Sequence, residues 1–264
     1  MEISKSQVSE QTLLLNGVSV SYKLAGLGTP FLLLHGWGRG SDGYLDMITA
    51  LSQAGYKVAS PDLPGFGKTP PPYTAWGVDE YAQWALRFAD EIGFQNFFLL
   101  GHSFGGQVAS KVALIHPERV KKLILCGAAV IRKEPTAKKK VLWMIAKLGN
   151  AALSFWPLSL FQDAAGRVFY KIVGTGDWRY SQGIMKQVRE KVLRQGMFSE
   201  VSGIQVPTLL VWGDQDKATP IQDAYALKRE IPHAELQVIS GAGHLLHREV
   251  PSQLHEIILK FLSK

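Results

Sequence analysis

Short runs of apolar residues alternate along most of the chain with segments in which apolar residues recur every three or four positions. The apolar runs predict strands, because a strand covered on both faces of a sheet is apolar throughout. The dipeptide Asn16-Gly17 suits a tight turn and predicts a hairpin between residues 12–15 and 18–24. Further strands are expected at residues 31–34, 57–60, 96–100, 120–126, 207–212 and 235–239.

Segments with helical periodicity lie between these strands. In residues 78–92, for example, Tyr81, Trp84 and Phe88 fall on one face of a helix. Strands and helices that alternate with short links indicate an α/β fold, with a mostly parallel central sheet and helices on both faces. The helices are expected at residues 44–54, 78–92, 104–115, 221–230 and 252–262.

Residues 131–199 break this alternation, and their pattern is helical throughout. We interpret them as an inserted helical cap, so that residues 1–130 and 200–264 form the core. A helical lid has few ties to a sheet, and we therefore expect the cap to be mobile.

Charge is concentrated in this predicted cap. It holds 13 lysines and arginines against four acids, an excess of nine, whereas the whole chain has a formal net charge of +7. The basic segment could attract an anionic substrate or a lipid surface, or it could simply be a solvated face of lysine-rich helices.

The composition is that of a folded globular protein, with 46% hydrophobic and 19% charged residues among 264. The single cysteine, Cys126, excludes an intramolecular disulfide and fits a reducing compartment. No segment resembles a signal peptide, and residues 141–161, which come closest to a spanning helix, are interrupted by Lys147, Gly149 and Pro157. We therefore expect a cytoplasmic protein with no stable membrane span.

The strongest chemical signal is the motif Gly-His-Ser-Phe-Gly-Gly at residues 101–106, which follows a predicted strand and precedes a predicted helix. In this setting the serine of Gly-x-Ser-x-Gly serves as a nucleophile on a sharp turn. Small residues two positions before and after Ser103 relieve crowding, and the helix N-terminus stabilises a developing anion. Ser103 is the predicted nucleophile, and the alternative is a serine N-cap on a glycine-rich helix start.

A base that activates the serine is expected late in the chain, in the order serine, acid, histidine. His244 fits, because it lies in the glycine-rich loop after the last predicted strand. A metal site on His244 and His247 would lack a third ligand. The remaining histidines that fit less well as a base are His116, His233 and His255.

Two aspartates in the loop after residues 207–212 compete for the role of the acid. We favour Asp216, which stands four residues after Trp212 and four before Pro220, where the next helix opens. Asp214 is expected to shape the turn through its side chain.

An oxyanion hole requires two aligned donors. We expect the backbone N–H groups of Phe104 and Trp37, because the glycines around Trp37 let the backbone approach a substrate closely. His35 is expected to be a structural residue of this loop and not a base. The residues predicted to line the substrate are His35, Gly36, His102, Trp143, Phe155 and Trp156.

Together these motifs resemble the α/β-hydrolase superfamily, in a branch similar to bacterial carboxylesterases and carbon–carbon bond hydrolases. The matching segments are residues 35–38, 62–67, 101–106, 212–220 and 243–244, in the order found in that family. The resemblance implies that the insertion is a cap that shapes the substrate pocket. Members with an aspartate nucleophile, the haloalkane dehalogenases and epoxide hydrolases, are disfavoured because residue 103 is serine.

The predicted reaction is hydrolysis of a small-molecule carboxylic ester with a short or medium acyl chain, through an acyl-enzyme. The alternatives are hydrolysis of a carbon–carbon bond in a vinylogous diketone, a thioesterase, lactonase or perhydrolase reaction, or a small-molecule receptor on the same fold. The reaction requires no metal and no organic cofactor. We expect no nucleic-acid partner, and a monomer or a homodimer.

Overall fold

One sheet of eight strands runs through the part of the chain that the structure, a computed structural model, describes: residues 7–131 and 182–264. Strand β2 is antiparallel to both its neighbours, and the other neighbouring strands are parallel. The strand order is β1-β2-β4-β3-β5-β6-β7-β8. The strands are β1 (Ser9–Leu15), β2 (Val18–Ala25), β3 (Thr29–Leu34), β4 (Tyr56–Pro61), β5 (Phe97–His102), β6 (Val120–Cys126), β7 (Thr208–Gly213) and β8 (Ala234–Ile239).

Helices cover both faces of the sheet. Helices α2, α3, α4 and α5 contribute to one apolar cluster, and α1 and α7 contribute to a second cluster on the other face. The mostly parallel sheet with helices on both faces is therefore confirmed. The helices are α1 (Leu45–Gln53), α2 (Val78–Glu91), α3 (Phe104–Ile115), α4 (Gly183–Arg194), α5 (Ile221–Glu230), α6 (Leu246–Glu249) and α7 (Pro251–Leu262).

The predicted strands and helices of the core agree with the observed ones to within one or two residues, except that β1 begins at Ser9, three residues before its predicted start, and except near residue 44. There the predicted helix begins as a 3-10 turn, Ser41–Tyr44, before α1. The hairpin turn is as expected, since Asn16 and Gly17 have φ angles of 51° and 78°. The short helix α6 was not predicted.

The carboxyl ends of the parallel strands meet at one edge of the sheet. Register places Leu34 beside Gly101, His102 beside Cys126, and Gly213 beside Ile239. Loops that follow β3, β5, β6, β7 and β8 therefore converge there, where ligands bind in open sheets of this kind.

Most of the predicted cap, residues 132–181, lies outside the described residues, and so do Trp143, Phe155 and Trp156. Among residues 7–131 and 182–264, no helix combines the length and the apolar character that a membrane span requires.

The described end of the predicted cap packs against the helices of the core. Met185, Val188 and Val192 on α4 are buried in the larger apolar cluster. Lys191 Nζ lies 2.5 Å from Glu80 Oε1, and the Gln195 side chain accepts a hydrogen bond from the N–H of Val78 at 2.7 Å. These contacts tie α4 to α2, and the mobility expected of the cap stays a prediction.

Candidate active site

Ser103 lies in the sharp turn between β5 and α3. Its φ and ψ angles are 54° and −115°, a conformation that costs a non-glycine residue roughly 1–3 kcal/mol. Backbone hydrogen bonds to the end of β6 and to the following loop hold it: the Ser103 N–H donates to the Cys126 carbonyl at 3.0 Å, and the Ser103 carbonyl accepts from the Ala129 N–H at 2.9 Å. The strained turn predicted for a nucleophile is therefore present.

The positions of Gly101 and Gly105, two residues before and after Ser103, leave no room for a side chain. A Cβ atom at Gly101 would lie 2.3 Å from the carbonyl oxygen of Gly105, and one at Gly105 would lie 2.2 Å from the carbonyl oxygen of Leu34. The start of α3 can pack this closely against β3 and β5 only because both positions lack a side chain.

Asp216 and His244 are joined by a hydrogen bond of 2.7 Å between Asp216 Oδ2 and His244 Nδ1. The Asp216 side chain is 1% exposed, and that of His244 is 21% exposed. The other Asp216 oxygen accepts from the N–H groups of Ala218 (2.8 Å) and Thr219 (2.9 Å), and the Thr219 hydroxyl donates to Oδ2 at 2.8 Å.

These contacts decide the charge of Asp216. Burial raises the pKa of its carboxyl group, but the hydrogen bond and charge of His244 and the hydrogen bonds of Thr219 outweigh burial and lower that pKa below its ordinary value. Asp216 is therefore an ionised group that can orient His244.

Asp214 has a different environment. It is partly exposed, and its carboxylate accepts hydrogen bonds from the N–H of Gly241 (2.8 Å) and the hydroxyl of Ser240 (3.1 Å). It joins the loop after β7 to the loop after β8, as expected of a residue that shapes the turn.

The structure brings the three predicted catalytic residues to the same end of the sheet. His102, adjacent to Ser103, bonds through Nε2 to the carbonyl of His244 at 2.9 Å. The Ser103 N–H donates to the carbonyl of Cys126, and the next residue is Gly127. A Cβ atom at Gly127 would lie 3.2 Å from both Asp216 Oδ2 and His244 Nδ1.

The loop after β3 lies directly against the nucleophile. A Cβ atom at Gly36 would be 3.2 Å from Ser103 Cβ. The Trp37 ring packs edge-to-face on Phe66 and Phe104, with ring centroids 4.9 and 5.3 Å apart. Phe104 is the first residue of α3, so its N–H has no acceptor within the helix. Trp37 therefore follows the residue that lies against Ser103, and Phe104 is adjacent to Ser103 in sequence; their role as oxyanion donors stays a prediction.

The rings of His35 and His102 are buried and engaged within the protein. His35 Nε2 accepts from the Leu63 N–H at 2.9 Å, and Nδ1 donates to the Gly36 carbonyl at 2.8 Å. Burial lowers the pKa of His35, which keeps this ring neutral. Because both nitrogens of each ring bond within the protein, we revise the expected substrate contact of His35 and His102 to a structural role.

The roles of two residues near His244, Tyr44 and Glu249, were not foreseen from the sequence. Tyr44 bonds to His102 Nδ1 at 2.7 Å, and its ring stacks on His247 with centroids 4.2 Å apart. The Glu249 carboxylate accepts from the N–H groups of Gly243 (2.5 Å) and Leu245 (2.9 Å), on either side of His244. No local motif marks these residues, because their roles depend on contacts made by the folded chain.

No cluster of three or more His, Cys, Asp or Glu side chains that could hold a metal ion occurs in the described ranges 7–131 and 182–264.

Comparison with known proteins shows similarity over nearly the whole chain. Residues 29–250 match the model of a family described as alpha/beta hydrolase fold. The chain is 25% identical to a 2-hydroxy-6-oxononadienedioate/2-hydroxy-6-oxononatrienedioate hydrolase from Pseudomonas sp, with 95% of this chain and 93% of that protein covered. It is 28% identical to a 2-hydroxymuconate semialdehyde hydrolase from Pseudomonas putida, with 90% and 89% covered.

A solved structure of a serine hydrolase involved in carbazole degradation, the CarC enzyme, is also similar. Its sequence is 26% identical and its TM-score is 0.75, with 97% of this chain and 99% of that chain covered.

Proposed function

Because this chain belongs to the α/β-hydrolase family, we propose that it is a serine hydrolase with Ser103 as nucleophile, His244 as base and Asp216 as the orienting acid. The observation that carries the proposal is the 2.7 Å hydrogen bond between Asp216 and His244, at the sheet edge where Ser103 occupies its strained turn. A serine hydroxyl needs such a base, because it is a weak nucleophile until its proton is removed.

The reaction follows from this geometry. Nδ1 of His244 bonds to Asp216, so Nε2 is the nitrogen that takes the proton of Ser103 as its oxygen attacks the substrate carbonyl. The N–H groups of Phe104 and Trp37 stabilise the oxyanion. His244 then protonates the leaving group, and a water molecule repeats both steps on the acyl-enzyme to release the acid.

The proposed substrate is a small carboxylic ester with a short or medium acyl chain. Trp143, Phe155 and Trp156 of the predicted cap are the proposed apolar contacts for the acyl group. Burial of each CH₂ contributes about 0.8 kcal/mol, so affinity should increase with acyl length until the pocket is full.

A second candidate is hydrolysis of the carbon–carbon bond of a vinylogous diketone. It is favoured by the names of the two relatives described above, each of which is a hydrolase of a compound of that kind. Such a substrate is anionic, and the excess of basic residues in the predicted cap agrees with it.

Active-site labelling and a substrate panel test both candidates. A fluorophosphonate probe should label the wild-type protein on Ser103, and Ser103→Ala should lose labelling and about 10⁴-fold or more of its turnover. The panel consists of p-nitrophenyl esters of increasing acyl length and a 2-hydroxy-6-oxo-2,4-dienoate. The preferred class is the one with the higher kcat/KM.

Ser110→Ala is the matched control. Ser110 is a buried serine on the same helix, and its hydroxyl donates to the Gly106 carbonyl at 2.9 Å. This variant should be labelled like wild type. Labelling that persists in Ser103→Ala would remove Ser103 as the nucleophile, and a folded wild type with neither labelling nor turnover would favour a receptor.

A further inference from the structure

A chain of three hydrogen bonds connects the loop after β3 to the backbone of His244. The Gly36 N–H donates to the Tyr44 hydroxyl oxygen (3.2 Å), Tyr44 bonds to His102 Nδ1 (2.7 Å), and His102 Nε2 bonds to the His244 carbonyl (2.9 Å). We infer that Tyr44 and His102 are positioning residues, which align the oxyanion loop and His244 with Ser103. This inference rests on the proposed function.

The donors and acceptors available fix the direction of each of these three hydrogen bonds. A backbone carbonyl only accepts, so His102 Nε2 carries a proton and donates to His244. In a neutral ring Nδ1 is then the acceptor, and the Tyr44 hydroxyl must donate to it. The Tyr44 oxygen is left to accept from Gly36, so each group has one fitting partner.

Burial makes these bonds difficult to replace. Tyr44 and His102 are each 2% exposed, so water cannot easily take over a lost hydrogen bond. Burial and the neighbouring His244 and His247 hold the pKa of His102 well below its ordinary value, which keeps the ring in the neutral form that the chain requires.

The three hydrogen bonds end on the two parts of the site that must be aligned for the reaction. Gly36 precedes Trp37, the proposed oxyanion donor, and its backbone lies against Ser103. At the other end, His102 holds the carbonyl of His244 and is itself the neighbour of Ser103. A displacement of about 1 Å in such a site can reduce the rate by about 100-fold. Loss of the Tyr44 hydroxyl should therefore slow the activation of Ser103.

The rate of fluorophosphonate labelling tests this inference without knowledge of the substrate. Tyr44→Phe removes only the hydroxyl and keeps the ring that stacks on His247. We expect it to be labelled about 10- to 100-fold more slowly than wild type. The double variant Tyr44→Phe with His102→Phe should be no slower than His102→Phe alone, because Tyr44 acts through His102.

Tyr22→Phe is the matched control, because its hydroxyl donates to Gln11 Oε1 at 2.7 Å away from the site. It should be labelled at the wild-type rate. The inference is overturned if Tyr44→Phe is labelled like wild type, if Tyr22→Phe is slowed equally, or if the effects of the Tyr44 and His102 substitutions simply add.

Nitrogen NMR of the His102 ring provides a readout that does not depend on activity. In wild type the proton should reside on Nε2 and Nδ1 should resonate as a nitrogen that accepts a hydrogen bond; in Tyr44→Phe the proton should stay on Nε2, while the Nδ1 resonance moves to that of an unbonded nitrogen. A proton on Nδ1 in wild type would overturn the inference. A wild-type protein that is not labelled at all would instead contradict the proposed function, and the NMR result would still decide whether this chain of bonds exists.

Discussion

Two aspartates in one loop show how environment assigns function to a side chain. Asp216 is buried and bonds to His244, whereas Asp214 is partly exposed and bonds to the loop after β8. We expect Asp216→Asn to reduce kcat by about 10³- to 10⁴-fold, because an amide cannot hold the required histidine tautomer.

Asp214→Asn provides the comparison, since the hydrogen bonds of its side chain go to Ser240 and Gly241. It should reduce kcat much less. Both values should be measured with the best ester of the panel, alongside thermal melting to establish that each variant folds. A larger loss in Asp214→Asn would reverse the assignment of the acid.

Residues marked by a local motif could be predicted from the sequence, whereas residues defined by contacts between distant segments could not. The positions of Ser103, Asp216 and His244 follow from local patterns: a nucleophile motif and two loops that each follow a strand. Tyr44 was not predicted, because its partner His102 is 58 residues away in the sequence. Such a pairing depends on how two loops pack, and no periodicity or turn residue records it.

The loop that carries His244 is held in place by hydrogen bonds to the short helix that follows it, α6. Glu249 at the end of α6 accepts hydrogen bonds from the residues on both sides of His244. Glu249→Gln removes the charge and leaves one oxygen to accept where there were two. We expect kcat to fall roughly 10-fold with little change in KM, because the histidine is displaced while the pocket is not.

Glu235→Gln is the control for this substitution. Glu235 lies on β8 and pairs with Lys264 in an exposed ion pair, which contributes little to stability. Steady-state kinetics of the two variants should differ. Equal effects, or a change confined to KM, would show that Glu249 does not position His244.

The core elements were predictable because each has a strong pattern of its own. Strands buried on both faces are continuous apolar runs, and α2 shows regular spacing of buried residues. The attachment of α4 was missed for a different reason. Its buried face has only Met185, Val188 and Val192, and its polar ties to α2 join residues more than 100 positions apart.

The stability of the whole molecule should depend on three buried histidines. Burial lowers the pKa of His35, of His102 and, to about 4, of His247, where the nearby charges of Arg39 and Arg248 add to the effect. Between pH 6.5 and 4 the unfolded chain binds protons that these folded side chains do not. The free energy of unfolding should therefore decrease as pH falls through this window.

Urea denaturation at several pH values between 7 and 4 measures this dependence. His247→Phe keeps a ring that can stack on Tyr44 but cannot be protonated. Its free energy of unfolding should therefore decrease less than that of wild type between pH 7 and 4, and the two decreases should differ by up to about 3 kcal/mol. His233→Asn, at an exposed position with a positive φ that asparagine tolerates, is the control for the loss of one histidine. Identical curves for His247→Phe and wild type would contradict the prediction.

The order of the strands has a consequence for how the chain folds. The hairpin of β1 and β2 closes over two residues, whereas His102 meets His244 across 142 residues and Asp216 meets His244 across 28. Contacts between distant parts of a chain form slowly, because the entropy of closing a long loop is lost before the contact is gained. A refolding intermediate that contains the hairpin but has not yet docked β8 has secondary structure and no activated serine. Recovery of hydrolase activity should therefore follow the docking of β8 and not the formation of the hairpin.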